Sequence, residues 1–176
     1  MAQSHLGNIK NKPVCFFGAK SIPQATNTDL TKGQVVYQDG SNGIKVVPTS
    51  SQPPASKIGV IENDSKNNPG ALGAKAVEVY KHLCIAVVKL DGTLAIDGKV
   101  RASTTTAGRV IELADVADAV LNGTFSNTEV QAEIDLVRDF SKFYLADYLG
   151  HTDEYLNANK QITAGADGDE IVIGFK

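Results

Sequence analysis

The sequence predicts a mainly β protein with one long α-helix, an α+β fold in which short strands form a small β-barrel or sandwich. Short β-branched runs recur along the chain and are separated by glycine turns such as Asp91-Gly92 and Asp97-Gly98. The 176 residues include 16 glycines and no tryptophan, a composition that favours many turns and an aliphatic core. One segment, 128–149, instead has apolar residues at helical spacing over several turns.

The chain length predicts a single domain, because one hydrophobic core usually organises about 100–200 residues. Residues 1–26 are polar apart from a short apolar knot, so we predict an N-terminal arm there. Residues 27–176 are expected to form one β-rich domain with a helical insertion around 126–150. Chain termini are loose unless they dock, so Phe16 and Phe17 of the knot are predicted to bind a partner. The alternative is that the knot forms an ordinary edge strand of the same domain.

The predicted strands share β-branched or apolar residues that are bounded by turn residues. They are residues 30–40, 43–47, 57–61, 76–80, 84–90, 93–96, 99–102, 109–113 and 169–175. Residues 48–56 form a proline- and serine-rich loop that is long for a tight hairpin. We therefore expect this loop to cover or reach across another part of the fold.

The helix is the best-marked element of the sequence. Ser126 and Glu129 have the spacing of a capping box, and Gly150 is placed to end the helix in the left-handed conformation. One arc of the helix is apolar and is predicted to face the core. It contains Val130, Ile134, Val137, Tyr144, Leu145 and Tyr148.

A second apolar stripe on the same helix consists of Leu136, Phe140 and Phe143. Two stripes suggest two packing partners, and aromatic residues are enriched at interfaces. We therefore predict that Leu136, Phe140 and Phe143 bind a neighbouring subunit or another protein. The alternative is a helix that is buried deeply within its own fold.

Charge and hydropathy exclude several classes of partner. The formal net charge is −3 and no basic run is present, so we expect no nucleic-acid partner. No stretch approaches the roughly 20 apolar residues of a membrane helix, and the first residues do not resemble a signal peptide, so we expect a soluble chain with no membrane partner. Cys15 and Cys84 are the only cysteines, and without a secretion signal they are expected to be reduced thiols.

No motif predicts a catalytic residue, a cofactor site or a metal site, and we therefore predict that the chain is not an enzyme. The segment 92–100 resembles a phosphate-binding loop, but its glycine spacing is wrong and Val100 replaces the hydroxyl residue. His82 and Cys84 would share one strand face, but no second ligand pair accompanies them. Residues 167–170 predict an acidic turn before the last strand. An active site assembled only by the fold remains the alternative.

Several segments share a pattern in which a glycine leads into a β run. They are residues 31–37, 57–61, 97–100, 107–110 and 168–173. In this pattern, and in its closing Gly-Asp-x-Ile strand, the chain resembles the capsid decoration proteins of tailed bacteriophages, also described as cement or head-fibre proteins. Members of that family pass quickly to the closing strand, whereas this chain inserts residues 115–164.

The resemblance implies a structural protein of the virion that is made in the host cytoplasm. It would bind the outer surface of a viral capsid and stabilise it by clamping neighbouring major capsid proteins, often as a trimer. The alternative is a non-catalytic binding module or adhesin-type domain that recognises carbohydrate or another protein. Such a module needs surface aromatic residues flanked by polar groups, and aromatic residues make up only 6% of this chain.

Overall fold

The computed structural model describes residues 20–23, 30–39, 44–62, 76–80, 84–113 and 126–175. The described strands are β1 (Lys20–Pro23), β2 (Val35–Gln38), β3 (Ile44–Val46), β4 (Ile58–Ile61), β5 (Ala76–Tyr80), β6 (Ile85–Lys89), β7 (Lys99–Ala102), β8 (Val110–Glu112), β9 (Ala146–His151) and β10 (Glu170–Phe175). The helices are α1 (Asn127–Phe143), α2 (Thr152–Leu156) and a 3-10 turn at Ala55–Lys57.

The strands form two five-stranded antiparallel sheets. The first has the order β1-β5-β4-β2-β3 and the second the order β6-β10-β9-β7-β8. The arrangement resembles a sandwich, with two separate sheets instead of a closed barrel. The predicted mainly β fold with one long helix is confirmed. Strand β1 comes from the segment predicted as an arm and pairs with β5 at the edge of the first sheet.

The main core contains apolar side chains from both sheets, and strand alternation decides which residues enter it. Val35 belongs to this core, whereas its neighbour Val36 points to the other face of the first sheet. Val36 belongs to a smaller buried cluster there, together with Leu30, Ile44, Ile61 and Val79. Strand β4 and the first half of β2 are therefore buried on both faces of the sheet, which agrees with their continuous apolar runs.

The two sheets approach each other closely at Gly33. Its φ is +80°, and a Cβ atom there would lie 3.1 Å from the carbonyl oxygen of Val87 in β6. Glycine avoids both the strain and the clash. Two residues later, the backbone N–H of Val35 donates to the carbonyl oxygen of Gly108 at 2.9 Å, which links the two sheets directly.

The loop at 48–56 reaches across to the second sheet, as its length predicted. The Gln52 side chain donates to the carbonyl oxygens of Ala102 at 3.0 Å and Ser103 at 2.5 Å. It also accepts a hydrogen bond of 2.8 Å from Arg101. The loop thereby fixes the end of β7 against the first sheet.

The helix begins where the sequence predicted, directly after Ser126, but the predicted end near Gly150 is wrong. Helix α1 ends at Phe143, and the chain then forms β9, which pairs with both β7 and β10. Gly150 has a φ of +106° and lies beside a register shift between β9 and β10. Its left-handed conformation therefore allows the irregular pairing between β9 and β10 and does not end a helix.

The predicted core stripe of the helix is also wrong. Val130, Ile134 and Val137 are 42%, 53% and 49% exposed. Tyr144 follows the helix, while Leu145 and Tyr148 are buried through the strand segment that succeeds it. The residues that helical spacing placed in one stripe thus lie partly in α1 and partly in the segment that follows it.

Two further expectations need correction. Cys84 is disulfide-bonded and not a reduced thiol, and Cys15 is the only other cysteine of the chain. The predicted strand at 93–96 is reduced to a single bridge between Leu94 and Gly165. Among the described residues, no helix is both long and apolar enough to cross a membrane.

Candidate functional site

Three of the five residues predicted to bind a partner lie together on α1. Leu136 is 43% exposed, and Phe140 and Phe143 are half-buried. Phe16 and Phe17 lie outside the described residues. Helical spacing brings Leu136, Phe140 and Phe143 to one side of α1, because residues three, four and seven apart share a helix face.

Strand β7 positions the partners of these aromatic rings. Val100 and Ala102 are buried, so the alternating residues Lys99 and Arg101 point to the outer face of the second sheet. The Lys99 Nζ atom lies 5.6 Å from the centroid of the Phe140 ring, and the Arg101 Cζ atom lies 4.5 Å from that of Phe143. These distances are typical of cation–π contacts. They attach the C-terminal half of α1 to the outer face of the sheet.

Further contacts hold the two phenylalanine rings in place. Lys142 on the helix itself brings its Nζ atom to 4.8 Å from the Phe143 centroid. The rings of Phe140 and Tyr144 stack with centroids 5.3 Å apart and an angle of 19° between their planes. The Phe143 ring therefore lies between a cation of β7 and a cation of α1, whereas the Phe140 ring lies between Lys99 and Tyr144, and both phenylalanine residues are half-buried.

Arg101 is the most constrained cation of this site. Burial lowers the pKa of its guanidinium, and the nearby charge of Asp139 partly offsets that effect. Its Nη2 atom donates to Gln52, whereas its buried Nε has no hydrogen-bond partner among the described residues. Arginine remains charged in proteins, so Arg101 presents a fixed positive charge beside Phe143.

We refer to Leu136, Phe140, Phe143, Lys99, Arg101 and Lys142 as the aromatic–cationic patch. The sequence predicted Leu136, Phe140 and Phe143 as binding residues, but Lys142, Lys99 and Arg101 were missed. The available signal was the alternation in Lys99-Val100-Arg101-Ala102, which places the two cations on one face of a strand. Nothing in the sequence indicates that the helix lies across that face.

A cleft of about 190 Å³ adjoins the C-terminal end of α1. It lies between the 3-10 turn, the end of α1 and β10, and is lined by Ala55, Ser56, Ile58, Ser141, Tyr144, Leu145 and Phe175. The volume suits one or two side chains of a partner and is below the about 300 Å³ usual for small-molecule sites.

A polar network of a different kind surrounds His151 at the end of β9. The ring atom Nδ1 lies 3.0 Å from an oxygen of Glu154, and Nε2 lies 3.0 Å from an oxygen of Asp169. The Glu154 carboxylate also accepts from the His151 backbone N–H at 2.9 Å and from the Thr163 hydroxyl. Tyr148 donates to the carbonyl oxygen of Thr163 at 2.8 Å. The network connects β9, α2 and the start of β10.

The charges of this network reinforce one another. Burial lowers the pKa of His151, but hydrogen bonds to Asp169 and Glu154 outweigh it and the net effect raises that pKa. Burial raises the pKa of Glu154, but hydrogen bonds from Thr163 and His151 bring it down to about 2. Both ring nitrogens of His151 face carboxylates, so neither is left to take a proton from a substrate. The network therefore acts as a structural clasp.

A second polar cluster supports the turn between β7 and β8. The Ser103 and Thr105 hydroxyls donate to Asp91, while the Ser103 oxygen accepts from the backbone N–H groups of Thr105 at 3.0 Å and Thr106 at 2.9 Å. Ser103 is 1% exposed, so its hydroxyl is enclosed and satisfied by the turn. These bonds stabilise the hairpin and leave no accessible nucleophile at this position.

Among the residues that the structure describes, no group of three or more His, Cys, Asp or Glu side chains is arranged to hold a metal ion. The aromatic–cationic patch is therefore the best-defined candidate site. No protein-family model matches the chain, and neither a curated protein nor a solved structure is significantly similar to it.

Proposed function

We propose that this chain is a non-catalytic structural protein that binds the outer surface of a viral capsid and stabilises it by clamping neighbouring major capsid proteins. The observation that carries the proposal is the aromatic–cationic patch, which ends in the exposed side chain of Leu136. The sequence resemblance to phage decoration proteins supplies the identity of the partner.

The composition of the patch supports protein binding. Aromatic residues and arginine are enriched in the buried centres of protein interfaces, and they provide most of the binding free energy there. Phe140 and Phe143 are partly covered by cations already, so little side-chain freedom remains to be lost on docking. The patch is thereby pre-ordered for a partner that offers apolar and acidic groups.

The two-sheet frame supports a clamping role. Gln52 lies in the loop that reaches from the first sheet to the second, and it hydrogen-bonds both Arg101 and the carbonyl oxygen of Ala102. The patch is therefore connected to both sheets. One such patch supplies modest affinity. Several copies that act together on one shell gain affinity through their high effective concentration. A decoration protein uses this effect to stabilise a lattice.

The proposal is tested with purified shells that lack the protein. We expect the wild-type chain to bind saturably at a fixed copy number per shell and to raise the temperature at which the shells dissociate. Leu136→Asp places an unpaired charge in the interface and should weaken binding by at least tenfold, because burying such a charge is costly.

Ile96→Asp is the matched control. Ile96 is an exposed apolar residue, 51% accessible, on the turn before β7, and it does not belong to the aromatic–cationic patch. This variant should bind shells like the wild type. Binding without saturation, or equal losses in Leu136→Asp and Ile96→Asp, would contradict the proposal.

A further inference from the structure

We propose that a second copy of this chain binds the other apolar face of α1, with the two helices parallel. The face consists of Val130, Ile134 and Val137, which we call the α1 seam. These residues are separated by four and then three residues, and Ser141 continues the series with a spacing of four. Alternating spacings of three and four are the signature of the contact line in a coiled coil.

The exposure of the seam agrees with this assignment. Its three side chains are each between 42% and 53% exposed, although they are large, apolar and on one line. The Phe140 and Phe143 rings attach a different part of the helix to β7. The exposed side chains of the seam are accessible to another helix. A contiguous apolar line of this kind usually marks a protein contact.

Charges beside the seam select a copy of the same helix in parallel orientation. With Ile134 at heptad position a and Val137 at d, Glu133 occupies position g and Arg138 occupies position e. In a parallel pair, a residue at g meets the residue at e five positions later on the neighbour. Glu133 would therefore meet Arg138 of the other copy, and both copies would form this pair. An antiparallel pair would instead oppose glutamate to glutamate and arginine to arginine.

Both members of this pair flank the seam, and Arg138 is the more accessible of the two. Its Nη2 atom lies 3.1 Å from Asp135 and its Nε atom 4.0 Å from Asp139 on the same helix, and 65% of its side chain is exposed. Glu133 is half-buried beside the seam. A second copy would add an oppositely charged glutamate to the acidic neighbours of Arg138, at a cost in side-chain freedom that an exposed ion pair offsets only in part.

Two polar residues on the same line of the helix bear on the register of the contact. The polar residues Asn127 and Ser141 occupy the other a positions of α1, where polar side chains restrict the register.

The helix is short for an independent coiled coil, since its 17 residues extend about 25 Å. The contacts of Phe140 and Phe143 with β7 already order its C-terminal half, so association does not have to nucleate the helix. The expected contact is consequently modest in strength and dependent on protein concentration.

Charge exchange tests the proposal without any capsid. Sedimentation equilibrium should show reversible association of the wild-type chain. Arg138→Glu places glutamates opposite each other and should weaken association at least tenfold, and Glu133→Lys should do the same through opposed cations. The double variant Glu133→Lys/Arg138→Glu restores opposite charges only in the parallel arrangement and should recover association. A monomeric wild type, or a double variant no better than the single ones, would overturn the proposal.

Cross-linking provides a second readout that does not depend on Glu133 tolerating substitution. Val137→Cys should form disulfide-linked dimers under oxidised glutathione, because d positions of parallel helices face each other. Asp139→Cys at the outward position f is the matched control and should not. Equal cross-linking of both would contradict the parallel seam. Association of the wild type with no shell binding would refute the capsid proposal alone, and shell binding by a strictly monomeric chain would refute the seam alone.

Discussion

Helix α1 and strand β9 are separated by only two residues, yet their apolar side chains have opposite environments. Ile134 in α1 is 53% exposed, whereas Ala146 and Tyr148 in β9 are 0% and 3% exposed. The two elements contain similar proportions of apolar residues. Hydrophobicity along the chain therefore does not decide which segment enters the core.

The difference follows from how each element satisfies its backbone. Strand β9 needs neighbours on both sides and finds them in β7 and β10, which places its alternate side chains in the core. Helix α1 bonds its own backbone groups internally and can stand on the surface of a sheet. Its apolar face is then available to other protein chains.

The largest effect is expected from truncating a buried side chain of β9. Tyr148→Ala removes an aromatic ring from the main core and should lower the free energy of unfolding by about 3–5 kcal/mol. Tyr148→Phe keeps the ring and loses only the hydroxyl, which donates to the Thr163 carbonyl oxygen and lies 3.3 Å from Nδ1 of His151, so it should cost about 0.5–1.5 kcal/mol. Denaturant titration measures both values. Similar losses in the two variants would show that packing around Tyr148 is not what anchors β9.

An intermediate effect is expected from the His151 clasp that follows β9. His151→Gln removes hydrogen bonds to two carboxylates and should cost about 1.5–3 kcal/mol when the histidine is protonated. The contribution depends on pH, because folding changes the pKa values of both His151 and Glu154.

The pH dependence has a defined direction. The pKa of His151 is raised above its ordinary value of 6.5, so its stabilisation is fully present below pH 6.5 and is lost as the pH rises through the folded pKa. The pKa of Glu154 falls from 4.5 to about 2, so its stabilisation is present above pH 4.5 and is lost as the pH falls towards 2. The difference in unfolding free energy between the wild type and His151→Gln should therefore be largest between pH 4.5 and 6.5. A difference that grows above that range would contradict this assignment.

Most strands were predictable from the sequence because β-branched runs end at glycine turns. The boundaries of β5 and β7 agree with prediction, and Gly92 and Gly108 have the positive φ values expected of turn residues. Strand β9 was missed because Tyr144, Leu145 and Tyr148 continue the helical spacing of α1. Only pairing with β7 and β10, which lie far away in sequence, turns that segment into a strand.

The candidate site was predictable only in part. Helical spacing placed Leu136, Phe140 and Phe143 on one face, but it could not show which face meets the sheet. That choice depends on Lys99 and Arg101, whose positions follow from the alternation of β7. The disulfide of Cys84 was also missed. The prediction of reduced thiols rested on the absence of a secretion signal, which does not determine whether two cysteines lie within bonding distance.

The smallest effect on folding, and the most direct test of the role of α1, is expected for Ile134→Asp. Unfolding should be measured at concentrations where the wild type is also monomeric, since association adds to apparent stability. An exposed seam residue predicts a change in unfolding free energy within about 0.5 kcal/mol, together with loss of association at higher concentration. A loss comparable to that of Tyr148→Ala would place Ile134 in the core and contradict a helix face that serves other chains.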